Sequence, residues 1–421
     1  MRWTRGVGIA GAALGAVATT VATTVAVDRL TASRSVRREA VAALDAAGPY
    51  GTLRGTPGTV TAEDGTELYY EIDDLGADAA AKADRPADDG AGGPVTEPLA
   101  VPAPPAVPAP RTPGAPGRLA RLLRRAAREG GADAAPRPPT VVFCHGFCLA
   151  QDVWHFQRAA LRGAVRAVYW DQRGHGRSAA GPPGRPVGIP LLARDLKAVL
   201  DATVPEGPVV LVGHSMGGMT VMALAEQYPD YVASRVAGIA LLGTSAGRMA
   251  EVGWGLPPSA ARAVRTVLPG VVRALGTRQG LVDRGRRAAG ELYGGVVRRY
   301  AFGRPDAVDP GVARFAERLL ESVPMEIVAG FYPAFGEHDT TGALPVLAGL
   351  AADLPVAVLS GGKDLVTPPE HSERIARALP GAEHTVLPEA GHLLLLEAPA
   401  EVNERLGALL ARSIPSHEPA V

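Results

Sequence analysis

The chain has 421 residues, 47% of them hydrophobic and 20% charged, a composition typical of globular proteins that bury a sizeable core. Lys plus Arg and Asp plus Glu both number 43, so the formal net charge is zero and the balance argues against a nucleic-acid partner. With only two cysteines, the sequence supports neither a disulfide framework nor a zinc site built from cysteine.

The first 30 residues contain an uncharged apolar run at 6–27, with Arg2 and Arg5 before it and Asp28 after it. As a helix, the 22 residues of this run would span about 33 Å, enough for the hydrocarbon core of a bilayer. The run predicts an N-terminal helix at 1–30 and a membrane-associated protein held by that single helix. A cleaved signal peptide of a secreted protein and an apolar helix of a cytoplasmic protein are the two alternatives.

Composition divides the next part of the chain into three segments. Residues 31–57 are expected to form a helical or irregular lead-in. Residues 58–76 are expected to form the first hairpin of the folded core, because a turn sequence at 63–65 separates two β-prone runs. Residues 77–139 carry 13 prolines and no Phe, Tyr, Trp or Ile. Such a Pro/Ala-rich insertion cannot bury enough apolar surface to offset its ordering entropy, so we expect it to be disordered.

Short apolar runs predict the strands of the core, at 140–143, 167–170, 209–212, 238–242 and 356–359. Stretches with helical periodicity lie between them, for example at 191–200 and 219–227. This alternation predicts an α/β fold whose mostly parallel sheet is covered by helices on both faces. We assign the sheet to 140–244 and 345–412, a helix-rich insertion to 245–344 and a tail to 413–421.

The sequence Gly213-His214-Ser215-Met216-Gly217 joins an apolar strand to a predicted helix. The pattern G-x-S-x-G in this setting is typical of a nucleophile elbow, in which the serine sits on a sharp bend and small residues let strand and helix cross closely. A plain glycine-rich turn or a phosphate-binding loop is the alternative, but the spacing matches neither G-x-G-x-x-G nor a P-loop. Ser215 is therefore a candidate nucleophile.

A serine nucleophile needs a base and an acid to orient that base. His392 stands in the sequence Glu389-Ala390-Gly391-His392, in the loop after a predicted strand at 383–387, and Asp364 follows the strand at 356–359. Because the carboxyl ends of parallel strands meet at one edge of a sheet, both side chains are expected near Ser215. Of the other acids, Asp353 precedes its strand, and Glu389 is too close to His392 along the chain to be placed.

Four blocks of sequence resemble one known superfamily, and they are 144–147 (CHGF), 171–178 (DQRGHGRS), 213–218 (GHSMGG), and Asp364 with Gly391-His392 followed by Glu397-Ala398-Pro399. The chain is similar to the α/β-hydrolases, in their esterase, haloperoxidase-like and epoxide-hydrolase-like branch, over 58–72 and 140–412. The resemblance implies the α/β-hydrolase fold with an inserted helical cap at 245–344. It also implies an oxyanion hole formed by the backbone N–H groups of Phe147 and Met216, and a structural role for the block 171–178.

The sequence departs from haloalkane dehalogenases and epoxide hydrolases, which carry an aspartate where Ser215 stands, and this argues against alkyl-enzyme chemistry. We predict a serine hydrolase that acts through an acyl-enzyme, with a small-molecule ester or related acyl compound as substrate and neither cofactor nor metal. Amide, peptide or C–C hydrolysis and cofactor-free perhydrolysis at the same triad are alternatives. A non-catalytic binding protein with the same fold is a further alternative.

Overall fold

The computed structural model describes residues 50–76, 138–253, 255–257, 259–264, 266, 267, 270 and 290–414. The predicted N-terminal helix at 1–30, most of the lead-in, nearly all of the Pro/Ala-rich insertion and most of the tail lie outside the described residues. The folded core and the greater part of the predicted cap lie within them.

Eight strands form one sheet in the order β1-β2-β4-β3-β5-β6-β7-β8. Their bounds are β1 Thr56–Thr61, β2 Glu67–Asp73, β3 Thr140–Cys144, β4 Ala167–Trp170, β5 Val209–His214, β6 Val236–Leu242, β7 Val356–Gly361 and β8 Glu383–Leu387. β1 and β2 are antiparallel to their neighbours, whereas every pairing from β4 through β8 is parallel. The carboxyl ends of β3, β5, β6, β7 and β8 therefore lie along one edge.

The described residues include the helices α1 His155–Leu161, α2 Ile189–Thr203, α3 Met216–Gln227, α4 Pro229–Arg235, α5 Gly290–Ala301, α6 Pro310–Ser322, α7 Met325–Gly336, α8 Ala343–Gly349, α9 Pro369–Ala378, α10 Leu394–Glu397 and α11 Pro399–Arg412. They cover both faces of the sheet, as the apolar strands require. In β5, Val210 and Val212 face one hydrophobic cluster, while Val209 and Leu211 face the other. Alternate residues of a strand point to opposite faces, so a strand buried on both sides is apolar throughout.

Helices α5 to α7 belong to the segment between β6 and β7, where the sequence predicts a cap. The two ends of this segment meet at its base. Gly247 and Asp339 form an antiparallel bridge, the Thr340 N–H donates to the Ala246 carbonyl at 2.7 Å, and the His338 Nε2–H donates to the Ser245 carbonyl at 2.8 Å. The chain thus leaves the sheet and returns to it at nearly one point.

The prediction of a membrane-associated protein held by an N-terminal helix is corrected by the structure. In the described part of the chain, no helix combines the length and the apolar character that crossing a bilayer requires. Its longest helix, α2, has 15 residues and spans only about 22 Å, short of the roughly 30 Å of a bilayer core. The prediction of a membrane-spanning helix is therefore wrong for the described residues. The predicted span at 6–27 itself lies outside them.

Candidate active site

Ser215 lies at the turn between β5 and α3 with a backbone φ of 52° and ψ of −117°, a conformation that is strained for a residue with a side chain. Two hydrogen bonds hold the bend: the Ser215 N–H donates to the Leu242 carbonyl at 2.9 Å, and the Thr244 hydroxyl donates to the Ser215 carbonyl at 2.7 Å. A Cβ atom on Gly217 would collide with the Cys144 carbonyl oxygen. The glycine is therefore required by the close crossing of α3 over β3.

The structure brings the three predicted side chains into one hydrogen-bonded row. The distance from His392 Nε2 to Ser215 Oγ is 3.0 Å, and that from His392 Nδ1 to Asp364 Oδ2 is 2.8 Å. Ser215 is 7% exposed and Asp364 is 3% exposed. The order nucleophile, imidazole and carboxylate is that of a serine-hydrolase triad.

Asp364 is held by donors that the sequence analysis did not identify. Its Oδ1 accepts from the N–H groups of Val366 at 2.7 Å and Thr367 at 2.9 Å, and its Oδ2 accepts from the Thr367 hydroxyl at 2.8 Å. Burial alone would raise the pKa of Asp364, but His392 and the Thr367 donors outweigh it and the pKa is lowered. Because it stays ionised, Asp364 can accept the Nδ1–H of His392, which leaves Nε2 unprotonated toward Ser215.

The backbone of His392 is fixed by His214, the residue before Ser215. The His214 Nε2–H donates to the His392 carbonyl at 2.9 Å, and the two rings lie 4.9 Å apart. Burial, and then the nearby His392, lower the pKa of His214 to about 3, so this ring is neutral at ordinary pH. The histidine in the motif therefore ties the His392 loop to the elbow. The G-x-S-x-G pattern by itself gives no signal of this contact.

The loop after β3, which carries Phe147, is held by a second buried histidine. His145 Nε2 accepts from the Gln172 N–H at 2.9 Å, so its proton is on Nδ1, which donates to the Gly146 carbonyl at 2.7 Å. Among the described residues, no acceptor is recorded for the backbone N–H of either Phe147 or Met216. The N–H of Met216 belongs to the first turn of α3, where such groups have no partner within the helix. Both groups are thus available to a ligand oxygen.

The block at 171–178 supports this loop through buried polar contacts. Asp171 accepts from the N–H groups of Gln151 at 2.7 Å and Arg177 at 3.0 Å. Arg173 is 2% exposed and forms ion pairs with Asp195 at 2.5 Å and Asp64 at 2.9 Å. These contacts join the first hairpin, the block and α2, as a structural role requires.

A cavity of about 770 Å³ has Ser215 and His392 in its wall. The core contributes apolar side chains to the lining, and the cap contributes others from α5, α6 and α7. Phe147 meets Phe335 of the cap edge to face, with ring centroids 4.9 Å apart. Further lining residues are Leu149, Met219, Met249, Val297, Tyr300, Leu320, Tyr332 and Leu393. The side chains of Ser215 and His392 thus face an apolar cavity shared by core and cap.

Comparison with known proteins places these features in one family. The sequence pattern of the alpha/beta hydrolase fold family matches residues 139–399. A dihydrolipoyllysine-residue acetyltransferase component of the acetoin cleaving system of Pseudomonas putida is 30% identical over 67% of this chain, which spans only 65% of that relative. The sn-1-specific diacylglycerol lipase ABHD11 of Mus musculus is 26% identical over 68% of this chain and 90% of the mouse protein.

Solved esterases share the architecture. A thermophilic esterase from Thermogutta terrifontis superposes with a TM-score of 0.53 at 21% identity, covering 85% of this chain and 99% of that one. An esterase from Rhodococcus sp. ECU1013 superposes with a TM-score of 0.56 at 20% identity, covering 86% of this chain and all of the other. At such identities these likenesses concern the fold alone, which confirms the predicted fold class. The family pattern covers more than half of the sequence, and the chain belongs to the alpha/beta hydrolase family.

Proposed function

We propose that the protein is a serine hydrolase that cleaves carboxylic esters through an acyl-enzyme. The observation that carries the proposal is the continuous row Ser215 Oγ, His392 Nε2, His392 Nδ1 and Asp364 Oδ2, with hydrogen-bond distances of 3.0 and 2.8 Å. A binding function alone would not need a strained serine aligned with a histidine and a buried carboxylate.

In the proposed reaction, Ser215 Oγ attacks the ester carbonyl carbon while His392 Nε2 takes the hydroxyl proton. The carbonyl oxygen becomes an oxyanion that accepts from the N–H groups of Phe147 and Met216. Collapse of this intermediate breaks the C–O bond to the alcohol, which leaves with the proton from His392. Water then attacks the acyl-enzyme with His392 as base, and the carboxylic acid is released. Asp364 stabilises the imidazolium in both halves.

The cavity supports an ester with an apolar acyl or alcohol group. Its volume of about 770 Å³ lies within the range of sites for small organic ligands, and its walls are mostly aliphatic and aromatic. The mouse relative named as a diacylglycerol lipase is consistent with a substrate of this chemistry. Amides, C–C substrates and peracid formation would use the same three side chains, and substrate panels separate them.

Labelling with a fluorophosphonate tests the proposal, because this probe phosphonylates only an activated serine. Wild-type protein is expected to be labelled and Ser215→Ala is not. Ser234→Ala is the matched control, since Ser234 is an exposed serine on α4 that bonds only to backbone oxygens and should leave labelling unchanged. Labelling that survives in Ser215→Ala would refute the assignment of the nucleophile.

A panel of p-nitrophenyl esters from acetate to dodecanoate, run beside the corresponding anilides, tests which type of bond is cleaved and which acyl-chain length is preferred. We expect ester turnover that depends on Ser215 and increases from acetate to a medium-length chain. Labelling without turnover of any ester would contradict ester hydrolysis and favour amide or C–C cleavage.

A further inference from the structure

The segment that follows α5 of the cap lies directly against the loop that carries His392. A Cβ atom on Gly303 would lie 2.7 Å from the Ala390 carbonyl carbon and 2.8 Å from the Gly391 nitrogen. A Cβ atom on Gly391 would lie 2.6 Å from the Phe302 carbonyl carbon. Real Cβ atoms do not approach so closely, so the two backbones touch at a pair of glycines with no room for a side chain.

One carboxylate, that of Glu397, bonds to both backbones at this contact. Its Oε2 accepts from the Gly391 N–H at 2.7 Å and from the Gly303 N–H at 3.0 Å, and its Oε1 accepts from the Arg304 N–H at 3.0 Å. The Leu393 N–H also donates to the Ala301 carbonyl at 2.8 Å. The cap and the histidine loop are therefore held together on both sides of His392.

We propose that Glu397 is a positioning residue through which the cap sets the placement of His392. The inference rests on the proposed function, because it assigns a role around the same base. His392 has two backbone anchors: its carbonyl is bound to His214 of the elbow, and the N–H of the preceding Gly391 is bound to Glu397. The first anchor, His214, directly precedes Ser215 in the chain and so keeps its position relative to Ser215. The second is formed by a carboxylate that also accepts from the Gly303 and Arg304 N–H groups of the cap, so the alignment of His392 with Ser215 depends on the position of residues 302–304.

Glu397→Gln tests this link with little change in shape. The glutamine has one oxygen and one NH2 group, so at least one of the three N–H donors loses its acceptor and faces another donor. Displacement of His392 from Ser215 is expected to lower kcat on a p-nitrophenyl ester by on the order of tenfold or more, with KM nearly unchanged. Glu401→Gln is the matched control, because it removes the same charge four residues further on, from an exposed side chain that forms no hydrogen bond to the histidine loop within the described residues.

Two measurements distinguish a displacement of His392 from a loss of folded protein. The end point of fluorophosphonate labelling counts the intact sites, and kcat is expressed per labelled site. The second-order rate constant of labelling reports the alignment of Ser215 with His392, and it should fall with kcat in Glu397→Gln but not in Glu401→Gln. A lower end point with an unchanged rate constant would mean that Glu397 only stabilises the fold, and would overturn the inference.

Gly303→Ala tests the same contact from the cap side and replaces Glu397→Gln if that variant does not fold. It should lower the labelling rate constant in the same way. The rate constant of the double variant should fall by less than the product of the two single-variant factors, because both substitutions act through one contact. Wild-type kinetics in both single variants, with Ser215→Ala inactive, would overturn the inference and leave the proposed function intact. An active Ser215→Ala would instead overturn the proposed function.

Discussion

Replacement of Thr367 by valine removes one hydroxyl from the site and changes little else, since the two side chains have nearly the same shape. Thr367 is fully buried, and its hydroxyl donates to Asp364 Oδ2 at 2.8 Å, the same oxygen that accepts from His392. A hydrogen bond to a charged group contributes about 1.5–3 kcal/mol. The two backbone N–H donors to Oδ1 remain in the variant, so we expect Thr367→Val to lower the free energy of unfolding by about 1.5 kcal/mol, near the lower limit.

The sign of the pH dependence follows from the lowered pKa of Asp364. A carboxyl group with a lowered pKa in the folded state stabilises the protein above its unfolded pKa and loses that effect as the pH falls through the folded pKa. Thr367→Val raises the folded pKa toward the unfolded value. The difference in stability between wild type and variant is therefore full at pH 7 and shrinks below about pH 4. Urea unfolding followed at pH 7, 5 and 3 measures it.

The same variant should slow catalysis, because the carboxylate that orients His392 loses one of its own restraints. If the loss of this restraint raises the activation free energy by about 1.4 kcal/mol, kcat falls about tenfold. Thr203→Val is the control: Thr203 is also buried, and its hydroxyl bonds to a carbonyl of α2, away from the site. A Thr367→Val enzyme with wild-type kcat, or a stability difference that grows as the pH falls from 7 to 3, would refute the reasoning.

Three further predictions concern the elbow, the acid and the cavity. Asp364→Asn should keep the fold but lower kcat by about 10³- to 10⁴-fold in ester assays, because an amide cannot stabilise the imidazolium of His392; a loss below tenfold would contradict its role. Gly217→Ala should destabilise the protein by more than about 3 kcal/mol in thermal unfolding, since its Cβ would collide with the Cys144 carbonyl; a stable, active variant would show that α3 can shift. Phe335→Ala should raise kcat/KM for dodecanoate relative to butyrate esters by enlarging the chamber, and an unchanged ratio would place the acyl chain elsewhere.

The proximity of the three candidate side chains could be predicted from the sequence because parallel strands bring their carboxyl ends to one edge. Ser215, Asp364 and His392 each follow an apolar strand, and the structure places them within hydrogen-bonding distance of one another. Their catalytic roles stay predictions until the variants are assayed. The confirmed fold followed from the same alternation of apolar strands and periodic helices.

The contacts that sequence reasoning missed involve backbone groups, which carry no side-chain signature. Glu397 accepts from three N–H groups, two of them more than 90 residues earlier in the chain, and only the folded topology brings them together. The contact between the Thr367 hydroxyl and Asp364 spans only three residues, so a local turn pattern in the sequence could have predicted it. The membrane prediction rested on the hydropathy of 6–27 alone, and the described part of the chain offers no helix that could cross a bilayer.

The junction at the base of the cap has an evolutionary consequence. The segments that contain Ser245 and Thr340 run side by side. They are joined by the hydrogen bond from the Thr340 N–H to the Ala246 carbonyl and by the Gly247–Asp339 bridge. An insertion whose two ends are neighbours can change greatly in length at small entropic cost, because loop-closure entropy grows only with the logarithm of length. A change in the length of this insertion does not require a change in the sheet or in the edge that carries Ser215, Asp364 and His392. The cap can therefore change in length and sequence, and with it the shape of the cavity, while the turn at Ser215 and the loop that carries His392 stay as they are.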